Sequence, residues 1–552
     1  MPHLNSNNRE VLIRRALAEE FDLIVIGGGI TGAGIALEAG VRGISTLLIE
    51  KKDFAFGTSS RSTKLVHGGL RYLKNMEFGL VRELGIERAV VHKIAPHLTI
   101  PEKMLTPIVK GGTYGKWLTS IGIAVYDYLA GVKKEERRKM LSTDETKNQE
   151  PLIRKDILKG AALYYEYRTD DARLTMEIIK TASRKKAVCL NYVECKDFIM
   201  EQDRITGVEC VDHLKDTLLR FKAKVVINAT GPWVDTVRVK SENIKGKKLH
   251  LTKGIHLVVP HELLPVKQAI YFDVFDGRMI FVIPRGEITY FGTTDTNYSG
   301  DKDHPTITND DVTYLLAAVN NMFPGVNLKE KHIISGWAGL RPLIHEEGKK
   351  TFEISRKDEI FISEKGLVSI AGGKLTGYRK MAEKVVNKIM PLLKAKGLNN
   401  FLSGDTAEVI LSGGEFSNEE ALKTKIADVH NFLSKYIPSS AKLASRLIHM
   451  YGMQVEEILY YFEFYSSQLE PVKALLKAEL KFCVEREAVY KLDDFVVRRT
   501  GFLYFQPDII KNYLDDLGIW LKELIGKEDS QMEKEKQELL QLLREVSTFE
   551  NN

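Results

Sequence analysis

The sequence of 552 residues has few cysteines and no long apolar run. Its four cysteines, Cys189, Cys195, Cys210 and Cys483, form no C-x-x-C pair and no metal-ligand cluster, so we expect no metal site and free thiols in a reducing compartment. No segment reaches the roughly 18 uninterrupted apolar residues that span a bilayer. The net charge of +6 indicates no nucleic-acid partner, but suits an anionic substrate or an anionic membrane surface.

A glycine-rich turn follows the first apolar run. Gly27, Gly29 and Gly32 form a G-x-G-x-x-G turn between a strand and a helix, and the next strand ends at Glu50. Such glycines let the backbone approach a pyrophosphate at a helix N-terminus, and an acid at this distance accepts hydrogen bonds from an adenosine ribose. The complete unit favours a dinucleotide site over a glycine-rich loop that binds no nucleotide.

The segment after Glu50 is rich in small and hydroxyl residues and suits phosphates or the polar edge of a ring. It is followed by an imidazole, a guanidinium and a phenol beside a Gly-Gly pair. His67 alone is more often a structural histidine than a catalytic one. The candidate binding and catalytic residues of this segment are Thr58, Ser62, Lys64, His67, Gly68, Arg71 and Tyr72.

Two later segments repeat the dinucleotide pattern. A strand over residues 187–193 ends at Val193, and a buried strand over 223–228 runs into Ala229 and Gly231. Near residue 370, another strand, the Gly372-Gly373 turn and a helix follow one another, with Lys374 and Thr376 at the helix entry. The repetition predicts that distant parts of the chain enclose one extended cofactor.

Between these segments, from about residue 250 to 292, four apolar runs of strand length predict an antiparallel meander with a hairpin turn at Asp276-Gly277. His256, Arg341 and Arg356 lie in or beyond this region. Two arginines can hold phosphate oxygens in a forked manner, although a single arginine is more often a surface ion pair. We therefore expect a layer that covers an anionic substrate.

Two regions are predicted to be mainly helical. The first is residues 76–139, where an apolar stripe from Trp117 to Val132 precedes a basic cluster and suits either a membrane surface or the core. The second begins near residue 400 and carries no catalytic constellation. The charged residues Asp493, Asp494, Arg498 and Arg499 within it are interpreted as an ion-pair network at a helix end.

Six segments in this order carry a family resemblance: IVIGGGITGAGIALEA, HGGLRYL, VINATGPW, FGTTD, SGWAGLRPL and AGGKLTGYRKMAE. Together they resemble FAD-dependent glycerol-3-phosphate dehydrogenases, within the D-amino-acid-oxidase-like flavoproteins. The resemblance implies non-covalent FAD, oxidation of sn-glycerol 3-phosphate to dihydroxyacetone phosphate, and electron transfer to membrane quinone. It also implies a cytoplasmic protein, peripheral on the inner face of the cell membrane, for which a homodimer is one option.

The expected fold class is α/β plus α, with a Rossmann-like FAD-binding domain, an antiparallel-sheet substrate domain and a C-terminal helical domain. The FAD-binding domain is expected in three segments, with a helical cap after the first. The boundaries are 1–95, 161–245 and 361–395 for the FAD-binding domain, 96–160 for the cap, 246–360 for the substrate domain and 400–552 for the helical domain.

The resemblance also implies roles for individual residues. Arg71, Tyr72 and Arg356 are expected at the substrate phosphate, while Arg341 and Lys374 lie near the alcohol and the flavin. The catalytic base is either His67 or His256. FAD is expected to contact Gly27, Gly29, Gly32, Glu50, Thr58, Ser62, Lys64, Gly68, Val193, Ala229, Gly231, Gly372, Gly373 and Thr376.

Two other functions stay open from the sequence, and a third is disfavoured. One is a glycerol-3-phosphate oxidase that reduces dioxygen to hydrogen peroxide. Another is a flavin-holding scaffold or sensor without turnover. A pyridine-nucleotide disulfide reductase is disfavoured because it needs a second nucleotide fingerprint and a close redox cysteine pair after the first strand and helix.

Overall fold

The computed structural model describes residues 4–67, 78–112, 138–244, 246–274, 276–346 and 358–549. Its strands are β1 Glu20–Ile26, β2 Thr46–Ile49, β3 Leu65–Val66, β4 Ile100–Val109, β5 Lys139–Leu141, β6 Leu158–Arg168, β7 Val188–Leu190, β8 Val193–Glu201, β9 Arg204–Asp212, β10 Thr217–Asn228, β11 Lys247–Pro260, β12 Ala269–Asp273, β13 Met279–Arg285, β14 Ile288–Gly292, β15 Thr296–Asn297, β16 Ser335–Glu346, β17 Glu359–Ile362 and β18 Val368–Ala371. Its helices are α1 Arg9–Ala18, α2 Ile30–Val41, α3 Phe78–Ile94, α4 Thr143–Gln149, α5 Asp171–Arg184, α6 Val234–Arg238, α7 Asn309–Met322, α8 Tyr378–Ala395, α9 Glu419–Leu433, α10 Ala441–Tyr451, α11 Val455–Ser466, α12 Pro471–Arg486, a π-helix Asp494–Arg499, α13 Phe502–Phe505, α14 Pro507–Ile525 and α15 Asp529–Glu545.

The first sheet forms the predicted dinucleotide fold. Its strand order is β17-β18-β10-β1-β2-β7, and β1 runs parallel to both β2 and β10, while β10 runs parallel to β18. The apolar strands are buried on both faces, as in other parallel sheets covered by helices. Because the carboxyl ends of parallel strands meet at one edge, the turns after Ile26, Asn228 and Ala371 lie side by side.

The second sheet contains the predicted antiparallel meander. Its order is β15-β11-β14-β13-β12-β4-β6-β3, with β16 paired to β11 and β5 paired to β6. The turn at Gly277, with φ of +78°, joins β12 to β13 as expected for a hairpin. The long β11–β16 ladder sets His256 opposite Trp337 and Thr252 opposite Arg341. This ladder therefore brings two of the predicted catalytic residues to one sheet.

The helical interpretation of residues 76–139 and of the cap at 96–160 is wrong in part. Helix α3 ends at Ile94, and β4 then runs for ten residues, paired antiparallel with β6. Pro96, Pro101 and Pro107 explain the change, because proline lacks the amide hydrogen that a helix interior needs. The Trp117–Val132 stripe lies outside the described residues, as does most of the basic cluster.

The region beyond residue 400 is helical, as predicted. Helices α9 to α15 pack around a core that includes Leu447, Phe462, Leu480 and Leu517. Helix α12 contributes to this core, where its Leu476 and Cys483 are buried. Among the described helices, none combines the length and the apolar character needed to cross a membrane.

Candidate active site

The turn after β1 and the turn after β10 touch each other through glycine. A Cβ atom on Gly32 would lie 1.8 Å from the carbonyl oxygen of Gly27, and one on Gly27 would lie 2.6 Å from the carbonyl oxygen of Ala229. Gly27 also has a φ of +111°, which L side chains rarely adopt. The predicted fingerprint is thus required by close packing, and it leaves the entrance of helix α2 open to a ligand.

Glu50 is fixed at the end of β2 as the sequence predicts. Its carboxylate accepts hydrogen bonds from the backbone N–H groups of Gly28 at 2.8 Å and Lys52 at 3.0 Å. Burial raises the pKa of Glu50, and the two N–H donors partly offset this effect. The carboxylate borders the groove described next, where its remaining lone pairs suit ribose hydroxyls.

The site contains two adjoining cavities, of about 410 Å³ and about 280 Å³. The larger one, here called the cofactor groove, runs along the edge of the parallel sheet; the smaller one, here called the substrate cavity, lies beside the second sheet. They share Thr58, Ser62, Pro342, Gly373, Lys374 and Leu375 in their walls, so the two cavities lie directly beside each other.

Most of the predicted cofactor residues line this space. The groove wall includes Gly27, Gly29, Glu50, Thr58, Ser62, Val193, Ala229, Gly231, Gly372 and Gly373. Gly372 and Gly373 have φ of +75° and +85°, as a tight turn after β18 requires. Residues hundreds of positions apart therefore meet at one groove, and its tight glycine turns and ribose-binding acid fit a dinucleotide such as FAD.

Arg341 enters the substrate cavity from β16. Its guanidinium donates to the hydroxyl of Thr293 at 2.7 Å and to the carbonyl of Thr294 at 3.0 Å, and it pairs with Asp295 at 3.3 Å. A Cβ atom on Gly254 would lie 2.2 Å from Arg341 Nη2, so glycine at this position makes room for the guanidinium. The FGTTD segment is part of the family resemblance, but nothing in its sequence predicts that it supports this cation.

His256 lies in the wall of the same cavity and is 2% exposed. Its ring stacks on Trp337 with centroids 4.8 Å apart, and its Nε2 is 3.0 Å from the Thr63 hydroxyl. Burial, with the nearby charges of Arg341 and Lys64, lowers the pKa of His256 well below its ordinary value. The imidazole is therefore neutral near pH 7, and its buried Nδ1 makes no hydrogen bond within the described residues.

His67 and Lys374 complete the set of predicted catalytic residues in the cavity wall. The hydroxyl of Thr376 donates to the carbonyl of His67 at 3.0 Å and accepts from its N–H at 3.1 Å. This double contact connects the segment after β3 to the start of helix α8. Lys374 lies where groove and cavity meet, and its role beside the flavin stays a prediction.

The predicted cofactor contact of Lys64 needs correction. Its buried ammonium group pairs with Asp171 at 2.5 Å, and Lys64 lines neither cavity. Burial alone would lower the pKa of Lys64, but the carboxylates of Asp171 and Asp170 raise it. The cation of this segment that lines the substrate cavity is Arg61, whose pKa burial lowers. Four predicted residues, Gly68, Arg71, Tyr72 and Arg356, lie outside the described residues.

The ion pairs expected near residue 494 exist, but they are buried against the cofactor domain. Asp53, in the loop after Glu50, accepts from Arg499 at 2.7 and 2.8 Å and from Arg498 at 2.5 Å. Asn191 donates to the same carboxylate at 3.0 Å. Burial would raise the pKa of Asp53, yet Arg499 and Arg498 lower it to about 2. The C-terminal domain therefore holds the loop that leads into the groove wall.

Comparison with protein families supports the class of fold and site. Residues 22–379 match the family described as FAD dependent oxidoreductase, and residues 404–532 match the C-terminal domain of alpha-glycerophosphate oxidase. The fold and the groove thus define an FAD-dependent oxidoreductase. FAD is the cofactor, and the glycine turns and Glu50 provide a site that fits it.

Two relatives identify the family within the FAD-dependent oxidoreductases to which the chain belongs. The chain is 47% identical over 534 residues to an aerobic glycerol-3-phosphate dehydrogenase of Staphylococcus haemolyticus, covering 96% of this chain and 95% of that one. A relative of the same name from Staphylococcus aureus is 46% identical over 555 residues, covering 99% of each chain. This chain belongs to the aerobic glycerol-3-phosphate dehydrogenase family.

Solved structures agree with this assignment. The glycerol-3-phosphate dehydrogenase of Bacillus halodurans complexed with FAD aligns over 100% of both chains, with a TM-score of 0.84 and 41% identity. An L-alpha-glycerophosphate oxidase of Mycoplasma pneumoniae with FAD bound shares the fold, with a TM-score of 0.56 and 17% identity over 70% of this chain and 98% of that one.

Proposed function

We propose that the protein oxidises sn-glycerol 3-phosphate to dihydroxyacetone phosphate and passes the electrons to a membrane quinone. The observation that carries the proposal is the placement of His67, His256, Arg341 and Lys374 around one cavity that adjoins the cofactor groove. The names of the relatives from Staphylococcus and Bacillus support the substrate.

Different residues of the chain have different roles in such a reaction. Bound FAD supplies the two-electron acceptor for the hydride of the secondary alcohol. Arg341, held by Thr293 and Asp295, provides positive charge beside the oxygen as the alcohol loses its proton. Lys374 provides a second cation at the junction of cavity and groove. By their place in the sequence motifs, Arg71, Tyr72 and Arg356 bind the phosphate.

The decisive experiment is anaerobic mixing of the purified protein with sn-glycerol 3-phosphate while the flavin absorbance is followed. We expect the oxidised flavin band to bleach, because the hydride reaches the flavin without any further acceptor. Glycerol is the matched control, since it has the same alcohol but no phosphate, and it should bleach the flavin far more slowly. A flavin that stays oxidised with glycerol 3-phosphate would contradict the proposed substrate.

Proton removal is assigned to a histidine of the cavity. Asparagine variants of His67 and His256 identify which one, because loss of a general base lowers kcat by about 10² to 10⁴. If His256 is the base, its low pKa in the free protein keeps it competent in mild acid, so the acid limb of the kcat/KM profile lies below pH 6.5. Near-normal turnover in both variants, with FAD bound, would refute a histidine base.

A second candidate function uses dioxygen as the acceptor and releases hydrogen peroxide. The match of residues 404–532 to a domain of alpha-glycerophosphate oxidase favours it. The two functions are separated by measuring peroxide release and quinone reduction per substrate oxidised. One peroxide per turnover, with no acceleration by added quinone, would overturn the dehydrogenase proposal.

The proposal includes a position on the anionic inner face of the cell membrane and assembly as a homodimer. Co-sedimentation with vesicles that contain an anionic phospholipid tests the first, with neutral vesicles as the control. Sedimentation velocity tests the second. Equal binding to both kinds of vesicle, or a monomer at all concentrations, would contradict the respective statement.

A further inference from the structure

Two of the four cysteines lie directly opposite each other beside the cofactor groove. In the antiparallel ladder of β8 and β9, Cys195 is paired with Cys210. Opposed residues of such a ladder have Cα atoms about 4.5 to 5.5 Å apart, which falls within the range of about 4.4 to 6.8 Å found for disulfides. Their side chains also point to the same face of the sheet. The backbone therefore already holds the two thiols at a separation that a disulfide can bridge.

The two cysteines differ in their surroundings. Cys195 is 8% exposed and lies in the wall of the cofactor groove, near the adenosine end marked by Glu50 and Val193. Cys210 is 0% exposed, and it shares an apolar cluster beneath the sheet with Cys195 but does not line the groove. Burial, with a hydrogen bond to the Cys195 thiol, raises the pKa of Cys210 well above its ordinary value. Cys195 is thus the thiol that a reagent in the groove meets first.

An irregularity in β8 gives the pair room to adjust. The ladder shifts register between Cys195 and Asp197, so Lys196 is an extra residue on this strand. The Cys195 thiol lies 3.6 Å from the carbonyl of Asp197 across this bulge. A bulge locally interrupts the ladder, and the small movement that shortens the sulfur separation to about 2.05 Å is easiest there. The other cysteines lack such a geometry: Cys189 faces Leu48 of β2, and Cys483 lies on helix α12.

We propose that Cys195 and Cys210 form a reversible dithiol–disulfide site, and that occupation of the cofactor groove controls its access to oxidant. The oxidant is a hydroperoxide. The Cys195 thiolate attacks one peroxide oxygen, the O–O bond breaks, and an alcohol or water leaves as Cys195 becomes a sulfenic acid. The Cys210 thiol then attacks that sulfur and releases water. In total, two thiols lose two electrons and two protons, and one peroxide bond is reduced.

Bound FAD is expected to protect the pair, because the dinucleotide covers the groove wall in which Cys195 lies. The apoprotein leaves the same wall open to solvent. Since thiol oxidation follows exposure as well as thiolate character, we expect the apoprotein to form the disulfide at least about tenfold faster than the FAD-bound protein.

The test treats the full chain, with FAD and after FAD removal, with hydrogen peroxide and maps the thiols by mass spectrometry after alkylation in denaturant. The expected product is a Cys195–Cys210 linked peptide that a dithiol reductant cleaves. Cys189→Ser should leave its formation unchanged, whereas Cys195→Ser should abolish it and keep Cys210 alkylatable. Circular dichroism of each variant shows whether the fold is kept.

Three results would overturn the proposal. The first is a Cys195 sulfinic acid with Cys210 still reduced, since it shows that Cys210 does not reach the sulfenic acid. The second is a pair that stays reduced in the apoprotein while peroxide oxidises methionines of the same chain. The third is an equal rate of disulfide formation with and without FAD, which contradicts control by the groove.

Discussion

Replacing Asp53 by asparagine is expected to destabilise the FAD-bound protein by about 3 to 5 kcal/mol, the cost of removing one partner from a buried ion pair. Asp53 is 0% exposed, and its carboxylate accepts from Arg498, Arg499 and Asn191. Asparagine keeps the shape but removes the negative charge. Both guanidiniums then remain buried with less compensation.

The free energy of unfolding is measured by urea titration at saturating FAD, with circular dichroism and flavin release as two signals. Asp508→Asn is the matched control, because its carboxylate pairs with Lys511 but is 80% exposed. Surface pairs contribute about 0 to 1 kcal/mol, so this control should unfold almost like the parent protein.

A double-mutant cycle separates the loss of attraction from the cost of an unpaired charge. In Asp53→Asn with Arg499→Met, the uncompensated guanidinium is removed as well, so the double variant should recover part of the stability lost in Asp53→Asn. If Asp53→Asn costs less than about 1 kcal/mol, the network does not carry the buried charge that the structure indicates, and the reasoning fails.

Three further predictions test the groove, the cation and the response to acid. Gly32→Ala should abolish FAD binding, measured by flavin content after gel filtration, because its Cβ would clash with Gly27; Gly325→Ala, where nothing lies within 4 Å, should bind FAD normally. Gly254→Ala should displace Arg341 and lower kcat for glycerol 3-phosphate by about tenfold or more at unchanged FAD content, and a normal kcat would contradict the assigned role of this cation. Burial lowers the pKa of His449 to about 4, below its value in the unfolded chain. The stability that the neutral imidazole contributes is therefore present above about pH 6.5 and is lost as the pH falls toward 4, by up to about 3 kcal/mol. In His449→Gln, the free energy of unfolding measured in urea should depend less on pH over this range, and an unchanged pH dependence would refute the assignment.

Much of the cofactor site follows from the sequence because short-range rules govern it. The spacing of Gly27, Gly29 and Gly32 after an apolar strand requires a tight strand-to-helix turn, and the acid at the end of the next strand has a fixed place in such a unit. The second strand–glycine–helix unit at Gly372 is recognised by the same rule. The structure confirms that these turns meet, because β1, β10 and β18 are parallel neighbours.

Other features depend on tertiary packing that local patterns do not contain. Arg61 and Lys64 lie only three positions apart in the sequence, but only the fold shows that Lys64 is buried against Asp171 while Arg61 lines the cavity. The sequence pattern predicts a helical region where strand β4 lies, although the prolines of this strand favour extended backbone.

The buried ion-pair network around Asp53 is another feature that local sequence patterns do not predict. The charges near residue 494 look like a local cluster in sequence, yet their main partner is Asp53, 445 positions before Arg498. No periodicity or motif connects residues so far apart. The contact arises only when the helical domain docks on the dinucleotide fold.

The groove is assembled from segments that lie far apart in the sequence. Its wall includes Gly27 after β1 and Gly372 after β18, 345 residues apart, and Arg499 of the helical domain holds the loop after Glu50. A chain folded only as far as β10 therefore carries only part of the groove, so stable capture of FAD requires that all of these segments have folded.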